Sequence, residues 1–165
     1  MQPYQLKSKQ KNDFAPYSVG DQDIRPWGSY VVLRTNILPD GNEVCEKMIT
    51  VSPGKILSLQ SREYRSERWH VVHGHLTVIC NDRCVSIKAG ESIDIPKGAV
   101  HCMANLTLFP VKVSEIQTGI CREDDIVRYM DAYNRIGEID CQGEVPNESI
   151  SLYQDLLERI KEGCA

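Results

Sequence analysis

Hydrophobic and polar positions alternate in short stretches through the middle of the chain. Turn-forming sequences such as Pro39-Asp40-Gly41 and Asn81-Asp82 separate these stretches. Since no helical pattern lies between them, they predict antiparallel strands and exclude a parallel sheet with crossover helices. We therefore predict an all-β domain, built as a small barrel or sandwich. The predicted strands cover residues 30–34, 44–51, 70–80, 84–87, 92–95 and 111–117.

The pattern changes to a helical period near the C-terminus. Acidic residues 123–125 precede apolar residues at positions 126, 127, 130 and 133, which predicts a short helix with acids at its positive end. A second helix presents an apolar face and ends near Gly163, with Asn147 or Ser149 as its cap. That face packs on the outside of the barrel or on a second subunit. Its residues are Ile150, Tyr153, Leu156, Leu157 and Ile160.

Composition narrows the class of protein. The 165 residues are 41% hydrophobic and 25% charged, as in one globular domain, and a net charge of −4 argues against nucleic acid as a partner. No apolar run is long enough for a membrane span or an export signal, so we expect a cytoplasmic protein without a membrane partner. The seven cysteines are expected to be reduced. Cys80 and Cys84 flank a predicted turn, which could bring them side by side.

The most specific motif is Gly90-x5-Pro96-x-Gly98-x2-His101-x3-Asn105. Its glycines and proline shape two tight turns around a strand, and His101 is then presented into the barrel from the next strand. The motif resembles the second signature of the cupin superfamily, in which this histidine is usually a metal ligand. The resemblance implies a cupin barrel, also called a jelly roll or double-stranded β-helix, with short C-terminal helices.

The first cupin signature is only partly present. Its glutamate and glycine correspond to Glu67 and Gly74, but its two histidines are replaced by Arg62 and Tyr64. A divalent ion usually takes three or more protein ligands. Arg62 cannot deprotonate and would repel a cation, whereas beside Glu67 it could form a hydrogen-bonded pair in the place of a metal. We therefore expect no metal and no other cofactor.

A closer resemblance covers about residues 25–135. Motifs at residues 25–30, 47–54, 57–60, 65–74 and 119–128 are similar to successive motifs of type II mannose-6-phosphate isomerases. In that family the barrel is also the C-terminal domain of bifunctional enzymes that make GDP-mannose. The 24 residues before Arg25 are too few for a nucleotidyltransferase domain, so we expect the isomerase half alone. The expected division is an arm over 1–24, a barrel over 25–120 and a helical extension over 121–165.

The resemblance implies interconversion of mannose 6-phosphate and fructose 6-phosphate, which in the family is helped by a divalent metal. This chemistry requires a base, a proton donor, positive charge for the enediolate and a phosphate clamp. Lys47 shares an inward strand face with Ile49 and Val51. The predicted catalytic residues are Glu67, His101 and Tyr64, and the predicted substrate-binding residues are Lys47, Arg62, Arg65 and Gln60.

Two classes of function remain open. The first is an enzyme acting on a hexose phosphate, or a metal-independent isomerase or epimerase of a nucleotide-linked sugar in which His101 and Tyr64 move the protons. The second is a non-catalytic module that binds a sugar phosphate or serves regulation or dimerisation. Loss of both histidines favours the second, and retention of Lys47, Arg65 and Glu67 favours the first. We expect a small sugar phosphate as ligand and a homodimer as the assembly.

Overall fold

The structure is a computed structural model that describes residues 16–133 and 145–163. In these ranges the chain forms twelve strands and one helix, α1, which spans Asn147–Lys161. The strands are β1 (Gln22–Arg25), β2 (Gly28–Ile37), β3 (Glu43–Val51), β4 (Lys55–Ile56), β5 (Leu59–Ser61), β6 (Arg65–His73), β7 (His75–Cys80), β8 (Arg83–Lys88), β9 (Ser92–Ile95), β10 (His101–Asn105), β11 (Val111–Gly119) and β12 (Val127–Met130).

Two antiparallel sheets pack face to face. The first has the strand order β1-β2-β3-β11-β6-β9, and the second has the order β12-β5-β10-β7-β8 with β4 paired to β10. Strands distant in sequence are neighbours, as where β11 lies between β3 and β6. This jelly-roll arrangement confirms the predicted all-β class.

The inner faces of the two sheets form the core. Trp69 and Val113 of the first sheet pack in one cluster with Val78 and Met103 of the second. Because successive side chains of a strand point to opposite faces of the sheet, every second residue of each strand points into the core. Along β6 and β11 the inward side chains are apolar at one end and polar or charged at the other, and on β3 the inward Lys47 lies beside this charged end. The charged end is therefore where the fold positions a site.

Gly119 allows β11 to approach the start of β6 at this charged end. Its φ is +137°, and a Cβ on it would lie 2.2 Å from the carbonyl oxygen of Tyr64. Any larger residue would push the two strands apart. Since Gly119 pairs directly with Arg65, the close approach fixes where β6 begins.

The C-terminal helix packs on the outer face of the second sheet, which confirms one of the two predicted positions. Its Tyr153 and Leu156 are buried in one cluster with Ile79 and Cys102. The Tyr153 hydroxyl donates to the carbonyl of Leu57 at 2.9 Å. The helix is thus fixed by apolar burial and by side-chain hydrogen bonds to the backbone of the barrel.

The C-terminal end of α1 was predicted correctly, but its N-cap was not. Gly163 has φ +95°, as expected of a residue that terminates a helix. Pro146 occupies the N-cap position and no side chain caps the helix. Ser149, a predicted cap, instead donates to the carbonyl of Asn81 at 2.5 Å. This bond ties the helix to the turn between β7 and β8.

The predicted helix after residue 123 is wrong, because residues 127–130 form β12. This strand pairs with β5 along the edge of the second sheet. The carboxylate of Asp125 accepts hydrogen bonds from the backbone N–H groups of Glu63 and Tyr64 at 2.9 and 3.0 Å. An acid that was expected to begin a helix therefore joins two segments of the barrel instead.

The expected pairing of Cys80 with Cys84 is also wrong. Cys84 is opposite Ile79 in the β7–β8 register, so the two cysteines lie on opposite faces of the sheet. The five cysteines in the described ranges are free, which agrees with reduced thiols. Cys141 and Cys164 lie outside the described residues.

Residues 1–15 of the predicted arm lie outside the described residues. The described remainder, residues 16–24, includes most of β1, which pairs with β2. No helix in the part of the chain that the structure describes is long and apolar enough to cross a membrane. The domain boundaries, the homodimer and the cytoplasmic location stay predictions.

Replacing Leu156 by Ala tests the docking of α1. The change removes a buried side chain from the helix–sheet contact, so the free energy of unfolding is expected to fall by about 2–5 kcal/mol. Glu158→Ala on the exposed face of the same helix is the control and should change it by about 0.5 kcal/mol or less. Urea unfolding followed by circular dichroism measures both. Equal stability of the two variants would contradict the described packing.

Candidate active site

A cavity lies between the two sheets at the charged end of the core. About 70 Å³ of it is open to a molecule the size of water, and five cationic side chains and three carboxylates of the described residues line it. The cations are Arg25, Lys47, Arg62, Arg65 and Arg128, and the carboxylates are Glu67, Glu115 and Glu123.

A buried ion pair between Arg65 and Glu67 stands at the centre of this cavity. Arg65, Glu67 and Trp69 are alternate residues of β6 and point inward together. Arg65 Nε donates to Glu67 Oε1 at 3.0 Å, and Trp69 Nε1 donates to Oε2 at 2.8 Å. Burial opposes the charge, but the positive charges of Arg65 and Arg62 and the hydrogen bond from Trp69 outweigh it, and the pKa of Glu67 falls to about 2. Glu67 is therefore a fixed anion and a weak base.

His101 begins β10 and is buried beside this ion pair. Its Nδ1 lies 2.9 Å from the carbonyl oxygen of Ala99, which assigns the proton of the neutral ring to Nδ1. Nε2 then carries a free lone pair and lies 3.9 Å from Glu67 Oε2. The ring packs edge-on against Trp69 at a centroid distance of 5.4 Å. Burial lowers the pKa of His101, so the neutral imidazole is favoured.

Lys47 is inward-facing, as predicted, and is held by a second carboxylate. Its Nζ donates to Glu123 Oε1 at 3.2 Å, and the Tyr17 hydroxyl donates to the same oxygen. Nζ also lies 3.8 Å from the centroid of the Tyr17 ring and 4.3 Å from that of Tyr30. Burial favours the neutral form of Glu123. The positive charges of Lys47 and nearby arginines nevertheless hold the pKa of Glu123 well below its usual range.

Arg62 lies in the connection between β5 and β6 and is 8% exposed. Its Nη1 donates to the carbonyl oxygens of Asp125 at 2.8 Å and Glu123 at 3.3 Å. The predicted hydrogen-bonded pairing of Arg62 with Glu67 is therefore wrong. Arg65 forms that bond instead, because the inward alternation of β6 brings Arg65 beside Glu67 on the same strand.

Tyr64 does not reach the cavity, contrary to the prediction. It precedes the first inward residue of β6, and its side chain is 55% exposed. Gln60 does line the cavity and accepts a hydrogen bond from Ser58 Oγ at 2.7 Å. Six of the seven predicted site residues therefore meet around one cavity. They are Lys47, Gln60, Arg62, Arg65, Glu67 and His101.

Glu115 was not among the predicted site residues. It is buried on β11 directly opposite Lys47 of β3, and Gln117 Nε2 donates to its Oε1 at 2.6 Å. Burial and the negative charge of Glu67 outweigh Arg65 and Lys47, and raise the pKa of Glu115 to about 7. The alternation of Val111 and Val113 on β11 is the sequence signal that could have revealed it.

The donor atoms of this cavity do not fit a divalent metal ion. Both oxygens of Glu67 already accept hydrogen bonds, one of them from the guanidinium of Arg65. His101 Nε2 supplies one further donor atom, whereas such an ion usually needs three or more protein ligands. Within residues 16–133 and 145–163, no group of three or more His, Cys, Asp or Glu side chains could hold a metal ion.

Comparison with solved structures identifies the fold as that of the cupins. Oxalate decarboxylase of Lactobacillus farciminis, in its formate complex, superposes with a TM-score of 0.55 at 18% identity, over 66% of this chain and 33% of that chain. The plu4264 protein of Photorhabdus luminescens gives a TM-score of 0.50 at 16% identity, over 62% of this chain and 84% of that chain. These similarities show the fold alone.

Sequence comparison assigns the family. Residues 13–131 match the model of the family described as mannose-6-phosphate isomerase C-terminal, and the chain belongs to that family. Mannose-1-phosphate guanylyltransferase ManC of Salmonella typhimurium is 39% identical over 68% of this chain and 22% of that protein. Alginate biosynthesis protein AlgA of Pseudomonas aeruginosa is 40% identical over 69% of this chain and 23% of that protein. The chain thus spans less than a quarter of the length of either relative.

Replacing Glu115 by Gln tests its raised pKa. This acid has a higher pKa in the folded protein than in the unfolded chain. It therefore stabilises the fold fully at a pH below its pKa in the unfolded chain, and this stabilisation is lost as the pH rises through its pKa in the folded protein. The contribution of Glu115 should therefore decline between about pH 4.5 and pH 7. The variant should lose this part of the pH dependence and be more stable than the wild type at pH 8. Urea unfolding across this range measures it, and identical profiles would contradict the assignment.

Proposed function

We propose that this domain binds a hexose phosphate in the cavity and isomerises it without a bound metal ion. The observation that carries the proposal is a buried, predominantly cationic cavity in which a neutral histidine stands beside a fixed carboxylate. Membership of the mannose-6-phosphate isomerase C-terminal family supports the choice of substrate.

The charge of the cavity supports an anionic ligand. Its cationic side chains outnumber its carboxylates, and the raised pKa of Glu115 leaves that group partly protonated near pH 7. A phosphate group is well suited to such a site, because charge-assisted hydrogen bonds from Lys and Arg are stronger than neutral ones. Lys47 and Arg62 are the residues we assign to phosphate and sugar oxygens.

The geometry around Glu67 supports a revised division of roles. Isomerisation moves a proton between adjacent carbons and therefore needs a base with a free lone pair. His101 Nε2 has one, whereas both oxygens of Glu67 are engaged. We therefore assign proton transfer to His101. Glu67 is a positioning residue whose negative charge stabilises His101 when the ring becomes protonated.

A non-catalytic sugar-phosphate module is the second candidate. One observation favours it: Lys47 is already paired with Glu123 and covered by the ring of Tyr17. A cation in that state must exchange partners before it binds a phosphate. By contrast, the metal-independent sugar chemistry based on His101 and Tyr64 has little support, because the Tyr64 side chain lies outside the cavity.

Titration calorimetry with mannose 6-phosphate and fructose 6-phosphate tests the proposed ligand. Lys47→Ala should weaken binding by about 10- to 100-fold, because it removes one charge-assisted hydrogen bond. Arg68→Ala is the control, since Arg68 pairs with Asp94 on the exposed surface and should leave affinity unchanged.

Proton NMR of the sugar in the same samples separates the two candidates. Conversion of one sugar phosphate into the other supports the isomerase, and binding without conversion supports the module. No binding of either sugar phosphate at millimolar concentration would overturn both.

A further inference from the structure

Arg62 Nε and His101 Nε2 are buried nitrogen atoms of residues that line the cavity. Neither atom has a hydrogen-bond partner among the described residues. The first is a donor that always carries a proton, and the second is an acceptor in the tautomer set by Ala99. A buried polar group left unsatisfied is costly, and such groups commonly mark a position that a ligand fills. A ligand that satisfies both must present an oxygen to Arg62 and a proton to His101.

The guanidinium of Arg62 is held in a fixed orientation from which it can bind an oxygen of a ligand. Its Nη1 is fixed by two backbone carbonyls, of Asp125 and Glu123, and it forms no ion pair with a described carboxylate. Its positive charge nevertheless acts on the centre of the cavity, where it lowers the pKa of both Glu67 and His101. The guanidinium is therefore oriented by neutral groups, and its charge remains available to a ligand.

We infer that Arg62 is the electrophile of the reaction: its Nε–H binds the substrate oxygen that becomes negatively charged, while His101 Nε2 takes the proton from the adjacent carbon. The inference rests on the proposed function and deepens it. Arg62 would then supply, from the protein itself, the positive charge that the donor set of this cavity does not allow a metal ion to supply. Charge placed in advance where an oxyanion develops is commonly the largest contribution to such catalysis.

The reaction balances with these two groups. In the open-chain aldose, the C2–H bond breaks and its proton moves to His101 Nε2. The electron pair forms the C1–C2 double bond, and the carbonyl electrons move to O1, where Arg62 stabilises the enediolate. A proton then passes from O2 to O1, and His101 returns its proton to C1 as the C2 carbonyl forms. Glu67, 3.9 Å from His101 Nε2, stabilises the intermediate imidazolium. No oxidant or reductant is required.

Replacing Arg62 by Gln, by Lys and by Ala tests the inference. Arg62→Gln should lower kcat for interconversion of the two sugar phosphates by about 100- to 1,000-fold, as expected for loss of one oxyanion donor. Its Kd for fructose 6-phosphate should rise by about tenfold or less, because the bond from Arg62 is strongest to an oxygen that is charged only in the intermediate. Arg62→Lys should retain part of the rate, and added guanidinium should restore part of it to Arg62→Ala. Arg68→Gln is the matched control, because Arg68 is exposed and should leave the rate unchanged.

A measurement on the wild-type protein is independent of whether the variants fold. In ¹⁵N-labelled protein, saturation with fructose 6-phosphate should shift the Nε2 signal of His101 while its Nδ1 signal remains that of a protonated nitrogen. In D₂O, deuterium should appear at C1 or C2 of the sugar at a rate unaffected by a chelator. An unmoved Nε2 signal in the saturated complex would overturn the inference.

The outcomes also distinguish the inference from the proposed function. Absence of sugar-phosphate binding by the wild type overturns both. Turnover that survives Arg62→Gln, or that requires an added divalent metal, overturns the role of Arg62 and leaves sugar-phosphate isomerisation standing. Binding by the wild type without deuterium exchange overturns the proton transfer and leaves only a sugar-phosphate module.

Discussion

The ion pair between Arg65 and Glu67 is the interaction on which the site depends. Both side chains are almost completely buried, at 2% and 3% exposure, and their bond measures 3.0 Å. Removing two charges from water is costly, and the pair persists because further hydrogen bonds complete it. Trp69 donates to Glu67, and Arg65 donates to the carbonyl of Arg122. Loss of one partner would leave a buried charge unpaired, at a cost of about 3–5 kcal/mol.

The same ion pair determines the protonation states around it. With Arg65 beside it, Glu67 remains an anion, and its charge disfavours ionisation of Glu115 on the neighbouring strand. Glu67 is thereby held charged, and Glu115 is kept partly protonated. His101 lies close to Glu67 and is neutral because it is buried. The cavity thus contains a fixed anion, Glu67, a neutral hydrogen-bond acceptor, His101, and a carboxyl group, Glu115, that titrates near pH 7.

Much of the fold follows from local sequence patterns. The alternation in 44–51 places Lys47 on the inner face, and the apolar face of the C-terminal helix predicts its burial. The strand β12 was not predictable in this way, because its pairing with the edge of β5 overrides the local helical pattern. Glu123 likewise looked like a helix-terminal acid. Its partners Tyr17 and Lys47 are 106 and 76 residues away in sequence, so its role depends on the tertiary fold.

In the proposed function, the ion pair of Arg65 and Glu67, rather than a metal ion, organises this cavity. Anomalous diffraction at the zinc edge, from crystals grown with zinc chloride and fructose 6-phosphate, distinguishes the two arrangements. We expect no zinc peak within about 2.2 Å of Glu67 and His101, and an intact bond between Arg65 and Glu67. A fully occupied zinc ion bound by the Glu67 carboxylate and His101 Nε2, with Arg65 displaced, would show that a metal ion organises the cavity instead.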